Sequence, residues 1–503
     1  MVLLVVAAVI AFLRYRQLIE IVGAGAKETR WRSLILVLPL WLVGTFNALT
    51  NGFCYDGALY HLAAVRWVWE YGAVPGLANL HGRLGFNSSL SALAALLGVP
   101  SGLRLGQEFV NPSLVILAAG VVSQGLFGKG SAPGDFPRTI YALSLFAFLG
   151  GLIFSPCLSS PQPDIGGAAI AVLAAWYFRE ILFRDELTTQ QNTNSLFLCL
   201  SAVVLAIQIK LSYLALGLAT AAIAPSLFWL RFRSVSPLVP VSLWAGALLI
   251  PWVCCGYVTS GYPLFPSELA RLNFDWTVPH ELIERERDWA LSWARNPGLP
   301  PEIVLRSWAW LGPWFSSFWQ NPSVIRPLVL TVVGLLLFLV GRSWRCERQN
   351  LWKWFAFITP SLLGLIFWFF TAPAPRFAEA TLWIFGANVL ICPLAVSAQT
   401  SKIASSIAGA VVLSLLSYDA GVGLGRLGYE GEKLPNFVGG RPVMTVRLTR
   451  SGLGVWLPMP PSNPGDWELV STPLDRFDSR LELRGPTLRQ GFRIRDREND
   501  SLQ

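Results

Sequence analysis

Long apolar runs separated by short polar breaks make up most of this chain. Runs that can cross a bilayer, allowing for tilt and breaks, lie near 1–13, 33–50, 111–127, 138–155, 165–183, 195–208, 211–230, 238–257, 326–341, 352–370, 380–397 and 403–417. They predict about twelve helical spans. The stretch 195–230 reads as two spans or as one long broken one. Met1–Leu13 has no basic leader region and ends on Arg14 and Arg16, so it reads as a first span and not as a cleaved signal. The pattern changes after 417. Val443–Leu448, Gly454–Leu457, Arg480–Leu483 and Gly491–Ile494 read as short strands broken by Pro and Gly. The expected fold class is an all-α multi-pass membrane protein with a small β-rich C-terminal extension. Its domains are a membrane unit 1–417, with outer loops 51–110 and 258–325, and a separate appendage 418–503. Leu457–Pro461 reads as a rigid connector, and Arg495–Gln503 as a disordered end.

Composition agrees with the pattern. The 503 residues are 53% hydrophobic and only 14% charged, against about 25% charged in soluble domains. Mean hydropathy is +0.50. The 22 Trp suit an interfacial belt, as at Trp308-Ala309-Trp310 and Trp352–Trp354. The net charge of +9 comes from short loops and an Arg-rich tail, so nucleic acid is not the expected partner. The basic loop residues fall on alternate connections: Arg14 to Arg32, Lys129 with Arg138, Arg179 with Arg184, Arg231 with Arg233, Arg342 to Lys353, and Lys402. All lie on one side if the span count holds, and that side is cytoplasmic. The opposite face receives the loops 51–110, 156–164, 258–325 and 371–379 and the tail. The N-terminus is expected there too. The seven Cys have no zinc spacing. Cys54 and Cys157 both fall at outer span ends, where an oxidising compartment permits a disulfide.

The outer face holds the titratable groups. Asp56 sits just past the run 33–50 and opens the stretch Ala58–Tyr71, which reads as an interfacial helix lying on the membrane. Asp56 and Tyr60 share a helix face. His61, five positions from Asp56, is off that face for a chelate. The run Val74–Ser89 is rich in Gly and Asn and carries His81 and Arg83, a pattern that suits phosphate recognition or a headgroup contact. In Ser155–Asp164 three Pro residues shape a short loop, and Asp164 reads as the N-cap of the next span or as a second carboxylate near Asp56. A divalent cation shared by Asp56 and Asp164 stays open as a cofactor. Lys210 lies between two apolar runs and either snorkels to the interface or binds an anion. Arg376, in Pro375-Arg376-Phe377, is a candidate phosphate ligand against the positive-inside tendency. No P-loop, GxSxG elbow, HExxH or GxGxxG with a ribose-binding acid is present.

At these residues the chain resembles the GT-C class of integral-membrane glycosyltransferases over about 1–400. The match rests on the Asp56 loop and the helix after it, the Asp164 loop and Pro375-Arg376-Phe377. It looks most like bacterial members distantly related to the protein-mannosyltransferase and aminoarabinose-transferase groups. The resemblance implies a polyprenyl-phosphate sugar donor, an acceptor of unknown kind, and an inner-membrane protein of the cell envelope with its active site outside. It makes Asp56 the base acting on the acceptor and Arg83 a phosphate ligand. Gly57 follows Asp56 where many members place a second acid, which leaves metal dependence open.

Two classes of function follow. One is an inverting glycosyltransferase with Asp56 and Asp164 as catalytic acids, and with Tyr60, His61, His81, Arg83, Lys210 and Arg376 binding substrate. The alternative is a non-enzymatic lipid-linked-sugar transporter or membrane assembly partner. A transporter places polar groups near mid-membrane. Here they gather at one face, which favours the enzyme.

Overall fold

The computed structural model describes residues 30–50, 54, 56–101, 103–127, 136–340, 348–396, 401–426, 444–447, 454–457 and 480–495. The predicted span 1–13 and the basic residues around it lie outside these. The helices are α1 (Arg30–Thr50), α2 (Leu62–Tyr71), α3 (Leu77–Leu80), α4 (Ser89–Ser101), α5 (Leu103–Phe127) and α6 (Phe136–Ile153). Then come α7 (Pro163–Phe183), α8 (Thr189–Ile209), α9 (Leu214–Phe232), α10 (Leu238–Ser260), α11 (His280–Arg295) and α12 (Pro301–Val304). The last are α13 (Leu311–Gln320), α14 (Pro322–Val340), α15 (Arg348–Thr371), α16 (Pro375–Val396) and α17 (Ser401–Arg426). Among the described residues eight helices are long and apolar enough to cross a membrane, and α1, α4 and α17 contain shorter apolar stretches. The chain is therefore a multi-pass, largely helical membrane protein. The stretch 195–230 resolves into two helices, α8 and α9, meeting at Lys210 and a 3-10 turn Leu211–Tyr213.

The core forms around α7. Nearly every residue of α7 is buried, and small Gly and Ala positions let its neighbours approach closely. A Cβ at Gly166 would stand 2.7 Å from Asn111 Oδ1, and one at Gly167 would stand 2.8 Å from the Tyr213 ring. Both glycines are thus needed for α5 and the Lys210 turn to lie against α7. Pro163 starts α7 at a position where its missing N–H costs nothing. Thr188 caps α8 with a reciprocal capping box to Gln191. By contrast α10 exposes Leu243 and Ile250, a lipid-facing surface.

The two ends of the bundle differ in chemistry. At one end Lys353 Nζ pairs with Asp185 Oδ2 at 2.9 Å, and Arg231 Nη1 donates to the Arg184 carbonyl at 3.1 Å. Next to them Glu180 is buried among Arg138, Arg179 and Arg184. These are the basic residues assigned to the cytoplasmic side. The opposite end holds Asp56, Asp164, Lys210 and Arg376.

Three sequence expectations change. The segment after Asp56 is no free interfacial helix: a π turn (Gly57–His61) runs into α2, whose Leu62, Ala63, Val65 and Trp67 are buried in the protein, with α2 packed on α4. The reason is a second apolar surface supplied by the chain itself. That surface comes partly from the tail. Strands β1 (Met444–Arg447) and β2 (Gly454–Leu457) pair antiparallel, as do β3 (Leu481–Leu483) and β4 (Phe492–Ile494), close to the predicted strands. The β3–β4 hairpin is not a separate appendage. Leu481, Leu488 and Phe492 share one apolar cluster with Trp67, Val74 and Leu77. The Phe492 N–H donates to the Pro75 carbonyl at 3.0 Å, and Arg484 holds Asp275 through two bonds of 2.7 and 2.9 Å. The hairpin therefore clasps the first outer loop to the loop 258–325. Arg495, expected to begin the disordered end, belongs to the hairpin, its N–H donating to the Arg480 carbonyl. The other predicted tail features lie outside the described residues.

Candidate functional site

Two loops are fastened before any charge is placed. Cys54 and Cys157 form a disulfide with a Cα separation of 5.2 Å, tying the Asp56 segment to the Asp164 loop. Buried asparagines hold the rest. Asn47 Nδ2 donates to the Ile153 carbonyl at 2.7 Å, and Asn111 Nδ2 to those of Ser160 and Gln162 at 2.7 and 3.0 Å. These bonds satisfy backbone carbonyls that a Pro-rich loop cannot pair with itself.

Asp56 stands at the head of the π turn without capping it, so its carboxylate is available. Arg376, at the start of α16, reaches it with Nη1 2.6 Å from Oδ2. Asp164 does not cap α7 as expected: Gln162 occupies the cap position, and Asp164 lies in the first turn. There its carboxylate is claimed by Lys210, which emerges in extended conformation where α8 ends. The Lys210 ammonium also sits 3.8 Å from the centroid of Phe377, and the Arg376 guanidinium 5.0 Å from the same ring. The two ion pairs thus meet at Phe377. Each acid faces its own cation. Among the described residues the group with metal-ligand reach is Glu268, His280 and Glu284, the first two exposed and the third partly buried. Arg287 already pairs with both of those glutamates, at 3.6 and 3.3 Å.

The π turn changes one sequence inference. Its bonds close over five residues, and the Leu62 N–H reaches the Gly57 carbonyl. His61 therefore comes back within the field of Asp56. Burial pushes the His61 imidazole down to about 3; Asp56 opposes this, while Arg376, Lys210 and Arg83 reinforce it. His61 is neutral at ordinary pH. Burial, then Asp56, raises the Tyr60 phenol above its usual range. Tyr60 is accordingly a neutral hydroxyl beside the acid.

Arg83 is placed differently from a free phosphate fork. Its Nε lies 2.8 Å from Glu286 Oε1, and its guanidinium stacks 5.7 Å from the Tyr60 ring and 5.4 Å from that of Phe86. Burial raises the Glu286 carboxyl above its ordinary value, with Arg83 and Arg285 opposing. His81 Nδ1 accepts the Arg83 backbone N–H at 3.2 Å, leaving Nε2–H as its donor. Burial, then Arg83 and Arg285, takes the His81 imidazole down to about 4. The structure thus links Asp56, Tyr60, His61, Arg83, Asp164, Lys210 and Arg376 in one region, while His81 lies behind Arg83.

Glu286 and Glu379 were not anticipated. Glu379 follows Arg376 by three residues and acts electrostatically on Lys210 and Tyr213. The signal for Glu286 was the charge density of His280–Asp288 within an otherwise aromatic outer loop.

Comparison with known proteins adds the family. The sequence matches a domain of unknown function (DUF8201) over residues 1–383. The chain belongs to that family. Neither a curated protein nor a solved structure matches it.

Proposed function

We propose that this DUF8201 protein is a twelve-span, GT-C-like glycosyltransferase of the bacterial inner membrane. In this reading it moves a sugar from a polyprenyl-phosphate donor to an acceptor on the non-cytoplasmic face. The observation that carries the reading is the meeting of Asp56–Arg376 and Asp164–Lys210 at Phe377. Two acids and two cations at one wet end of an apolar bundle are what a phosphate-leaving transfer requires.

The arrangement gives an order of events. In the resting arrangement Arg376 holds the Asp56 carboxylate. A donor phosphate competes for Arg376 and Lys210 and so releases Asp56. The freed carboxylate takes the proton of an acceptor hydroxyl, and that oxygen attacks the anomeric carbon. The bond from this carbon to the phosphate oxygen breaks, and the electron pair leaves with polyprenyl phosphate. Arg376 and Lys210 neutralise the departing charge. The anomeric configuration inverts. Asp164 positions Lys210 in this scheme.

The test is a donor-consumption assay. Purified protein in proteoliposomes is given a panel of polyprenyl-phosphate sugars with candidate hydroxyl acceptors. Release of polyprenyl phosphate with inverted product supports the reading. Movement of intact lipid-linked sugar between leaflets, without cleavage, replaces it with the transporter alternative.

A further inference from the structure

Where the loop 258–325 begins, α11 meets the segment that precedes it at three side chains. Glu268 lies just past the turn at Pro266, and His280 and Glu284 stand one helical turn apart on the same face of α11. Their ligand atoms all lie within 4.8 Å of one another. The side chains of Glu268, His280 and Glu284 are 38%, 56% and 47% exposed, so a dissolved ion reaches all three. None of them carried a functional expectation from sequence.

The proton on the imidazole decides what can bind. Glu268 Oε2 stands 2.8 Å from His280 Nδ1. A carboxylate only accepts, so Nδ1 carries the proton. Nε2 of the neutral ring then turns its lone pair towards Glu284 Oε2, 3.4 Å away. That is longer than the roughly 2.7–3.2 Å of a good N–H···O bond, and lone pair faces lone pair. Something positive belongs between them. Two ligand atoms held at about 2.1 Å by one tetrahedral ion stand about 3.4 Å apart. The gap between Nε2 and Oε2 therefore has the width of one edge of a zinc-type site. Glu268 behind Nδ1 is the partner that sets the tautomer and the ring orientation of a metal-bound histidine.

The other carboxylate oxygens are tied back. Arg287 approaches Glu268 Oε1 at 3.6 Å and Glu284 Oε1 at 3.3 Å, which leaves both Oε2 atoms towards His280. Asp288 also pairs with Arg287, at 3.4 Å. Three carboxylates against one guanidinium leave a double negative charge, which a divalent ion neutralises. An imidazole ligand selects ions of the zinc class over Ca²⁺ and Mg²⁺, which take oxygen ligands. The competing occupant of the gap is a second proton, which makes His280 a cation between two acids.

We propose that His280 Nε2 and Glu284 Oε2 bind a divalent transition-metal ion of the zinc class, with Glu268 orienting the imidazole and water completing the coordination. The ion fixes the first turn of α11 and, through Glu268, the segment before it. The site does not depend on the glycosyl-transfer reading.

The experiment is calorimetry with Zn²⁺ on the full-length, tag-free protein in nanodiscs, with Mg²⁺ and Ca²⁺ as competitors. Zn²⁺ is expected to saturate at one ion per chain, and Mg²⁺ and Ca²⁺ are not expected to displace it. His280→Ala and Glu284→Gln alter exposed side chains and are expected to fold normally while removing a ligand each. Glu268→Gln should weaken zinc by about tenfold, the low end of the effect of an orienting partner, and the two ligand variants should weaken it more. Cu²⁺ in place of zinc should give an electron paramagnetic resonance spectrum split by one imidazole nitrogen, and His280→Ala should abolish that splitting. Asp56→Asn should leave zinc binding unchanged. No saturation by zinc, indifference to His280→Ala or Glu284→Gln, or loss of binding in Asp56→Asn overturns the inference. A melting temperature that falls in His280→Ala by the same amount with zinc and with chelator makes His280 a protonated ion-pair partner and overturns it too.

Discussion

Arg376 closes on Asp56 across 320 positions of chain, with Nη1 2.6 Å from Oδ2. The pair joins the first outer loop to the start of α16. Asp56 is largely covered and Arg376 nearly half exposed, so the pair is a contact that a competing anion can open. Asp56→Asn is expected to lower turnover by roughly 10²–10⁴, the size of a general-base contribution. Arg376→Ala is expected to weaken donor binding, and Arg376→Lys to restore it only in part. Thermal midpoints should move little in any of these variants, because a half-exposed ion pair contributes about 0–1 kcal/mol. Wild-type turnover in a folded Asp56→Asn protein rules out its role as base.

Asp164 and Lys210 predict a different pattern. Both side chains are mostly covered, at 18% and 14% exposure. Removing either charge strands the other. Asp164→Asn and Lys210→Met should each destabilise the fold by roughly 1–3 kcal/mol. The double variant should lose less than the sum. A double-mutant cycle followed by denaturation in detergent checks this, and strict additivity means the two do not interact.

His61 predicts a pH dependence. Its folded-state value is about 3, against an ordinary 6.5. Below pH 6.5 the unfolded chain takes up the proton first. Stability is therefore undiminished above pH 6.5 and declines as pH falls towards 3. His81, at about 4, acts in the same direction over a narrower window. Glu286, raised by burial, acts oppositely, gaining stability as pH falls through its folded value. His61→Phe should flatten the decline, read as the slope of melting temperature between pH 7 and 4. An unchanged slope shows that His61 is solvated in the native protein.

The hairpin makes a prediction about order in the outer loops. Phe492 is fully buried against the first loop. Phe492→Ala should cost about 3–5 kcal/mol of local packing. Amide exchange over 74–84 should rise sharply, with that over 276–283 following. Arg484→Ala, which removes a partly exposed pair, should do much less. Unchanged exchange in Phe492→Ala means the hairpin does not hold the loops.

Sidedness can be checked with two insertions in described loops. A reporter after Asp185 should report the cytoplasm, where Lys353 and Arg231 gather. One after Gly298 should report the opposite side. Equal signals contradict the charge parity.

Much of this protein was legible along its chain. Apolar runs marked the helices, because a bilayer demands long uncharged segments whose backbone bonds are internal. Alternation broken by Pro and Gly marked all four short strands. Alternating loop charge put Asp56, Asp164 and Arg376 at the same end, since that depends only on counting spans, whereas Lys210 was brought beside Asp164 by the packing. Tertiary structure decided the partners. Which cation meets Asp56 depends on how α16 packs, and Asp164, set inside the first turn of α7 because the helix starts at Pro163, meets Lys210 from the end of α8. The π turn that returns His61 to Asp56 is a one-residue change in bonding that helical spacing does not reveal. The docking of β3–β4 on the first loop is likewise a long-range fact. Local pattern fixes which face a side chain occupies. Only the packed chain fixes what stands opposite, because ion pairs and cavities form between segments hundreds of residues apart.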